Sequence, residues 1–441
     1  MAAATEPLPA SPDAINDDIL RVLEPPSKTY VLGVLFCGAL VACGVSAFLY
    51  QVYWGFGVTG LNHPVMWGLY ITTFVFWVGI AHAGTLISAI LFLFRAKWRN
   101  AVNRGAEALT VFSVLTAALF PLLHLGRAWK FYFILPYPNQ RGLWVNFKSP
   151  LLWDVFAIGT YTIISILFFI VGLIPDIGAA RDRVRDWRRH LYRVLAMGWR
   201  GTSEQWRAHS RSVLHLSGLA TPLVLSVHSV VSWDFATSVV PGWHTTIFAP
   251  YFVAGAIFSG IAMVITILIP VRQAFGLQAY LRDVHFDNMG KLILITSSIV
   301  GYAYGMEYFM AWYSANPYEQ MSFWYRGFGH YWWATWTMII CNVIVPLPLW
   351  FKRMRVNLAF MWIVSIFINI GMWFERFVII MTSLSHEYDP AAWGYYFPSW
   401  VEWTILVASV AFVLFLFLIF LRMFPVIAIQ EVKELHYEEA H

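Results

Sequence analysis

What most constrains this chain is the recurrence of long apolar runs over almost its whole length. Ten can be drawn, at approximately 30–56, 66–94, 105–133, 151–174, 212–233, 247–275, 291–313, 329–351, 355–381 and 400–424. Each is long enough to cross a hydrocarbon core of about 30 Å at a rise of about 1.5 Å per residue. Of the 441 residues, 59% are hydrophobic and 12% charged, against about 25% charged in a soluble domain. The expected fold is therefore an all-α polytopic membrane protein with ten transmembrane helices in a lipid bilayer.

Basic residues set the orientation. Arg95, Lys97, Arg99 and Arg104 follow the second run, and nine arginines from Arg181 to Arg211 follow the fourth. Arg272, Arg282 and Lys291 lie between the sixth and seventh, and Lys352, Arg353 and Arg355 between the eighth and ninth. These loops alternate with poorly basic ones, which puts them and both termini in the cytoplasm. Residues 1–29 lack a positive n-region followed by an apolar core and read as a cytoplasmic tail, not a secretory signal. Residues 425–441 read as a second tail. The long connection 175–211 carries Trp187, Leu191, Tyr192, Val194 and Leu195 among its arginines. It reads either as a basic amphipathic helix on anionic lipid or as a solvated loop.

A weak internal repeat divides the domain 30–424. The second run follows NHPVMWG and the sixth follows FAPYFVAG, and both are rich in Gly, Ala and Ser. Each leads to a run with an ionisable residue in its outer half, His124 and Glu307. The repeat implies two four-helix bundles, about 66–233 and 247–381, with the first and tenth spans peripheral. Gly79, Ala81, Ala83, Gly84 and Ser88, with Gly255, Ser259 and Gly260, would let helices approach closely.

Several chemistries are unexpected here. The net charge of +5 sits in particular loops and needs no nucleic acid. Cys37, Cys43 and Cys341 fall inside apolar runs without CxxC or CxxCH, so neither an iron–sulfur cluster nor a c-type haem is expected on this chain. His215 and His228, thirteen apart, approximate a dihaem spacing, but spans two and three offer only His82 and His124 singly. No haem b is expected.

Ionisable groups are costly in lipid, so those within the spans are the chemical inventory. The stretch Pro121–Asp154 stands out: His124, Arg127, Lys130 and Asp154 lie where two spans emerge on the outer face, with Arg141 and Lys148 in the loop between. His124 and Arg127, three apart, share a helix face. Asp234 ends the fifth span at the same level. Two-electron, two-proton quinol oxidation needs a proton-accepting histidine with a carboxylate to orient it or pass the proton onward. Trp129, Tyr132 and Phe133 would cover the ring, and Arg127 would stabilise an anion or hold Asp154 charged. Lys130 equally well snorkels to headgroups. Deeper lie His82, His215, His228, Glu307, Glu375 and Arg376, a partial proton relay or else a set of structural contacts. Glu375 and Arg376, being sequence neighbours, are expected to point to different faces and to need separate partners.

The elements PVMWG, GIAHAGTLISA, FPLLHLGRAWKFYFILPYPN, SPLLWDVFAIGTY, GLATPLVLSVHSVVSWDFA and VPGWHTTIFAPYFVAGAIFSG resemble the NrfD or polysulfide-reductase membrane-subunit family. Within it they most resemble the quinol-binding membrane component of bacterial alternative complex III. The resemblance implies ten helices, a menaquinol or ubiquinol site near the outer surface of a bacterial inner membrane, and no metal centre on this polypeptide. It carries His124, within HLGR, and Asp154, within LLWD, as quinol contacts, with Asp234 in SWDFA beside them. The implied partners are an iron–sulfur subunit on the outer face, c-type cytochrome subunits and a homologous ten-helix membrane subunit. The implied activity is quinol oxidation within a respiratory or photosynthetic quinol:acceptor oxidoreductase, with proton translocation as an addition. Two rival functions are a purely structural anchor and a proton channel or transporter.

Overall fold

The computed structural model describes residues 12–135 and 149–440, and among these the regular structure is helical without strands. Residues 1–11 of the expected N-terminal tail, and Arg141 and Lys148 of the outer loop, lie outside the described residues. The main helices are α1 (Lys28–Trp54), α2 (Gly68–Leu93), α3 (Asn103–His124), α4 (Pro150–Arg183), α5 (Ser203–Ala236), α6 (Phe248–Ala274), α7 (Asp283–Tyr313), α8 (Trp332–Trp350), α9 (Leu358–Leu384) and α10 (Trp400–Met423). Helices are the expected outcome in lipid, where each backbone N–H and C=O needs a partner within its own segment.

Nine of these, all but α7, are long and apolar enough to cross a membrane. The expected count of ten is not reached on that measure. α7 is 31 residues long, but Tyr302, Tyr304, Glu307 and Tyr308 lower its apolarity. Two of those four, Tyr304 and Glu307, are buried against neighbouring helices.

Consecutive helices pack on one another: α2 on α3, α3 on α4, and α4 on α5. Around α6 lie α2, α5, α7 and α9, with α8 on α9, while α1 and α10 pair with each other and α10 rests on α3. Close approach depends on small residues, as read from the sequence. A Cβ at Gly84 would collide with the Ala106 carbonyl oxygen, and one at Gly260 would sit 2.7 Å from the Ala83 Cβ.

The terminal segments are folded rather than bare tails. Helix Pro12–Leu20 buries Ile15 and Ile19, and its Asp13 and Asp17 pair with Arg183 at 3.2 and 3.0 Å. Helix Ile429–Ala440 brings Glu431 to within 3.1 Å of Arg99. Both of these terminal helices therefore lie at the end of the bundle that carries the basic loops, here called the basic end.

The long basic connection is shorter than expected, because α4 runs unbroken through Pro175 to Arg183 and α5 begins at Ser203. Between them Arg188–Leu195 is helical, as one of the two readings of this segment had it. Arg188 caps the carbonyls of Leu23 and Arg422, each at 2.9 Å, and holds Asp186 below the ordinary carboxylate range by hydrogen bonding. Tyr192 donates to the Met423 carbonyl at 2.5 Å, and burial pushes its phenol up to about 12.

Gly84→Val should drive α2 off α3 and cost about 1–3 kcal/mol, the range for overpacked interiors. Thermal unfolding in detergent would read this as a lowered midpoint. Gly159→Ala, whose Cβ would meet nothing within 4 Å, should leave the midpoint in place.

Candidate functional site

At the end opposite the basic loops, α4 begins and α5 finishes. Antiparallel packing brings their Trp-Asp dipeptides together. The indoles of Trp153 and Trp233 meet edge to face at 6.0 Å. The carboxyls of Asp154 and Asp234 face each other within hydrogen-bonding reach, Asp154 buried and Asp234 half-buried. A hydrogen bond between two carboxyl groups requires a proton on one of them. One oxygen of each, Oδ1, has no partner among the described residues. The recurrence of WD in LLWD and SWDF was the available sequence signal for this pairing.

His124 ends α3. Its half-buried ring lies 6.3 Å from that of Phe56, and its Nδ1 has no partner among the described residues. The turn beneath it is fixed by Gln51, which donates to the Leu123 carbonyl at 3.0 Å and accepts from the Tyr70 hydroxyl. No His124–Asp154 hydrogen bond is formed among the described residues, so of the two arrangements expected for Asp154 the direct one is not seen. Its described partner is Asp234. Arg127 is exposed and forms no ion pair among the described residues. Trp129, Tyr132 and Phe133 are exposed as well, forming an open aromatic shelf in which Tyr132 stacks on Phe133 at 4.7 Å and Lys130 Nζ lies 5.6 Å over Phe133.

Deeper in, the structure gathers part of the expected relay. The His82 and His228 rings meet edge to face at 4.5 Å, and Tyr161 stacks on His82 at 5.3 Å. His82 Nδ1 lies 2.7 Å from the Val78 carbonyl, which fixes the proton on that nitrogen in the neutral ring. Tyr161 and Thr110 both donate to the Ala81 carbonyl, at 2.7 and 2.6 Å, and Thr110 accepts the Gly84 N–H at 2.9 Å. Two helices, α3 and α4, are thus tied to one turn of α2, just before a π-type turn at Leu86–Ile90. His215 does not join them. It is exposed near the basic end of α5.

Glu375 and Arg376 correct an expectation. Though adjacent in sequence, they form an ion pair with each other, buried within α9. Their long side chains bend toward the same space, because Gly255 on α6 and Gly79 on α2 leave it open. A Cβ on Gly255 would lie 3.4 Å from Arg376 Nη2, and one on Gly79 3.9 Å. Arg376 lies 4.6 Å over the Phe252 ring, Tyr304 donates to Glu375, and Asn342 donates to Tyr304 at 2.8 Å. Glu307 is paired elsewhere, with Arg326 at 3.8 Å.

One cluster escaped the sequence reading. Arg104, read as a loop cation, is buried in the first turn of α3, where it meets Glu107 at 2.5 Å and Asp176 of α4 at 3.0 Å. These residues line a cavity of about 980 Å³ at the basic end, shared with His209, Glu431 and Lys433. The spacing of Arg104 and Glu107, three apart on a helix, was the only local sign.

The family model described as polysulphide reductase, NrfD, matches residues 57–386, a stretch that includes every titratable residue of the far-end site and the interior cluster. The chain is 27% identical over 240 residues to a Halobacterium salinarum protein assigned as a membrane subunit of dimethyl sulfoxide reductase, covering 54% of this chain and 50% of that protein. It is 21% identical over 417 residues to a selenate reductase subunit of Mesobacillus selenatarsenatis, covering 89% of this chain and 93% of the relative. Against the Hdr-like menaquinol oxidoreductase integral membrane subunit of Archaeoglobus fulgidus it is 20% identical over 437 residues, covering 94% and 98%. The chain thus spans half the length of the first relative and nearly all of the other two.

Because removing one partner of a buried ion pair strands the other, Arg104→Ala should destabilise the protein by about 3–5 kcal/mol. The double variant Arg104→Met with Asp176→Leu should recover much of that loss. Denaturation of the two in matched detergent separates a stranded charge from lost volume.

Proposed function

The chain belongs to the polysulphide reductase NrfD family, and from that premise we propose that it is the quinol-oxidising membrane subunit of a multi-subunit oxidoreductase. The observation that carries the reading is the carboxyl pair Asp154–Asp234, placed with His124 at the end opposite the basic loops. A relative named as a menaquinol oxidoreductase subunit, similar over nearly its whole length, supports menaquinol as the substrate, with ubiquinol as the other member of the class.

Oxidation of a hydroquinone to a quinone releases two electrons and two protons. His124 offers an unpartnered ring nitrogen for one proton. The other passes to the carboxyl pair, in which the Oδ1 of each aspartate is without a partner among the described residues. General-base help of this kind is worth about 10²–10⁴ in rate. Arg127 would steady the anionic quinol, and Trp129, Tyr132 and Phe133 would close over the ring. Electrons leave singly to an iron–sulfur subunit docked at this end, and from it to c-type cytochrome subunits, as in alternative complex III with its second, homologous ten-helix subunit. The basic loops and termini then face the cytoplasm of a bacterial inner membrane, and the site faces outward.

A second reading, proton translocation, is favoured by one further observation. Glu107 lines both the basic-end cavity and a gap of about 10 Å³ beside Thr85, Thr110 and Ser165, about the room one water takes. Thr85 and Tyr161 lie 2.9 Å apart, and Tyr161 stacks on His82, so polar groups continue from the basic end to the His82–His228 pair. Glu307 and the Glu375–Arg376 pair would extend that relay through the second half of the fold.

Asp154→Asn and His124→Ala should each lower quinol:acceptor turnover about a hundredfold while the complex still assembles. Undiminished turnover would favour the anchor role, in which another subunit binds quinol. For the second reading, Glu107→Gln should lower the proton-to-electron ratio measured in proteoliposomes. An unchanged ratio and rate would remove Glu107 from any proton path, and proton flux through the isolated chain without a redox partner would favour a channel.

A further inference from the structure

The basic connection between α4 and α5 has no part in the chemistry above. Its helix, Arg188–Leu195, turns one side to the protein. Tyr192 and Ala196 are fully buried there, with Arg188, Leu191 and Leu195 half-buried beside them. That side grips the last turn of α10. Arg188 and Tyr192 donate to the carbonyls of Arg422 and Met423, groups that a helix terminus leaves without partners of its own. With 24 residues, α10 is about 36 Å long, slightly more than a hydrocarbon core of about 30 Å, so its Met423 end lies at headgroup level. A helix fastened to that turn lies at headgroup level too.

The outward surface of this helix is divided. Trp187, Val194 and Met197 are 66%, 73% and 68% exposed, three large apolar side chains that a solvated loop would set in water. Trp187 and Val194, seven apart, share one flank, and Arg189 and Arg193, four apart, share another. Arg185 and Arg200 stand before and after them. All four arginines are exposed and form no ion pair among the described residues. Asp186, the one acid in the sequence between α4 and α5, is taken by Arg188 at 2.8 Å. An apolar flank beside a basic flank, at this depth, is the pattern of a helix lying in the membrane interface.

We propose that Arg188–Leu195 is an interfacial helix that binds an anionic phospholipid of the leaflet at the basic end. The phosphodiester sits at the Arg189–Arg193 edge, and an acyl chain lies against Trp187 and Val194. Charge selects this occupant. A zwitterionic lipid offers the same phosphate but carries a cation beyond it, which four arginines repel, whereas an anionic headgroup adds no such cation. The buried side of the same helix caps α10 and, through Arg188, the Leu23 carbonyl just before α1. The lipid thereby fastens the peripheral pair α1 and α10 to the ends of α4 and α5. This site needs only that the chain spans a bilayer and is independent of the quinol chemistry.

The test is photolabelling of the complete purified complex in phosphatidylcholine bilayers. The probes are a phosphatidylglycerol and a phosphatidylcholine that carry the same diazirine near the glycerol end of one acyl chain, and the label is located by peptide mapping. Peptides over Trp187–Met197 should take several-fold more label from the phosphatidylglycerol, while those over the exposed Trp312 and Tyr313 at the far end should take both equally. Arg189→Gln combined with Arg193→Gln should bring the first ratio to about one and leave quinol:acceptor turnover unchanged. Both side chains are exposed and neither caps another helix, so the fold is kept. Val194→Asp, which spoils the apolar flank, should lower the label from both probes several-fold. Equal labelling by the two probes in the wild type, or an undiminished preference in the double variant, would overturn the proposal. So would loss of the preference in excess inorganic phosphate, which would mark a site for free anions. Absence of label from this segment with either probe would also overturn it and would assign the face to an acidic protein partner.

Discussion

A guanidinium cannot be left bare in a lipid-embedded bundle, and the centre of this structure is arranged around that of Arg376. Its desolvation must be met by charge and by hydrogen bonds at once, since Coulomb attraction alone repays it only when the geometry is good. Glu375 supplies the charge from the neighbouring position on α9, and Phe252 supplies a ring face 4.6 Å away. Tyr304 of α7 then donates to the carboxylate, and Asn342 of α8 donates to the Tyr304 hydroxyl. Gly79 and Gly255 are small where the pair needs volume. Five helices thus take their local sequence from one buried pair, and the π-type turn at Ile340–Ile344 in α8 falls where Asn342 is presented.

The remaining buried polar groups separate by depth, and their saturation differs. At the basic end Arg104 is met by two carboxylates and by the Gly172 carbonyl, and Asp176 also accepts the Ile429 N–H at 3.1 Å. That cluster anchors the C-terminal helix against α3 and α4. In the middle, hydroxyls of Thr110 and Tyr161 converge on the Ala81 carbonyl and join α2, α3 and α4. At the opposite end, unpartnered atoms remain on His124, Asp154 and Asp234. Unpartnered atoms also remain elsewhere among the described residues, on Arg104 and on the rings of His82 and His228, so what sets the far end apart is that its unpartnered carboxyl and imidazole atoms stand beside an open aromatic shelf.

Much of the fold was legible in the apolar runs, because in lipid the length and composition of a segment decide its conformation. The small residues of the second and sixth runs announced the close contact that Gly260 and Ala83 make. What could not be read was which polar residue faces which. Arg104 reads as one more cation of a basic loop, and only the packing of α4 and of a distant C-terminal helix makes it a buried ion-pair centre. The expected independence of Glu375 and Arg376 failed for a related reason: backbone direction separates neighbouring Cβ atoms, but long side chains bend back wherever facing glycines leave space. His215 and His228, thirteen apart on one helix, differ because only His228 faces another helix of the bundle. The carboxyl pair was half legible, since Trp-Asp occurs at the start of one span and the end of the next, and antiparallel packing brings those two ends together.

These differences bear on where the proposed quinol chemistry can occur. The His82–His228 pair has the imidazoles that proton transfer needs, but it is enclosed among Tyr161, Phe252 and the Arg376 guanidinium. Buried aromatic packing on that scale leaves no room for a quinol ring. A slot between α2, α6, α9 and α10 has the room and the aromatic walls but no proton acceptor. At the end opposite the basic loops, acceptors coincide with exposed surface: the His124 ring is half-buried, and the aromatic shelf from Trp129 to Phe133 is open. A reaction that must admit a lipid-soluble substrate, give up two protons and hand electrons to another protein needs all three conditions at one place. The coincidence of proton acceptors with open surface is what distinguishes that place from the two other polar or aromatic sites in the same fold.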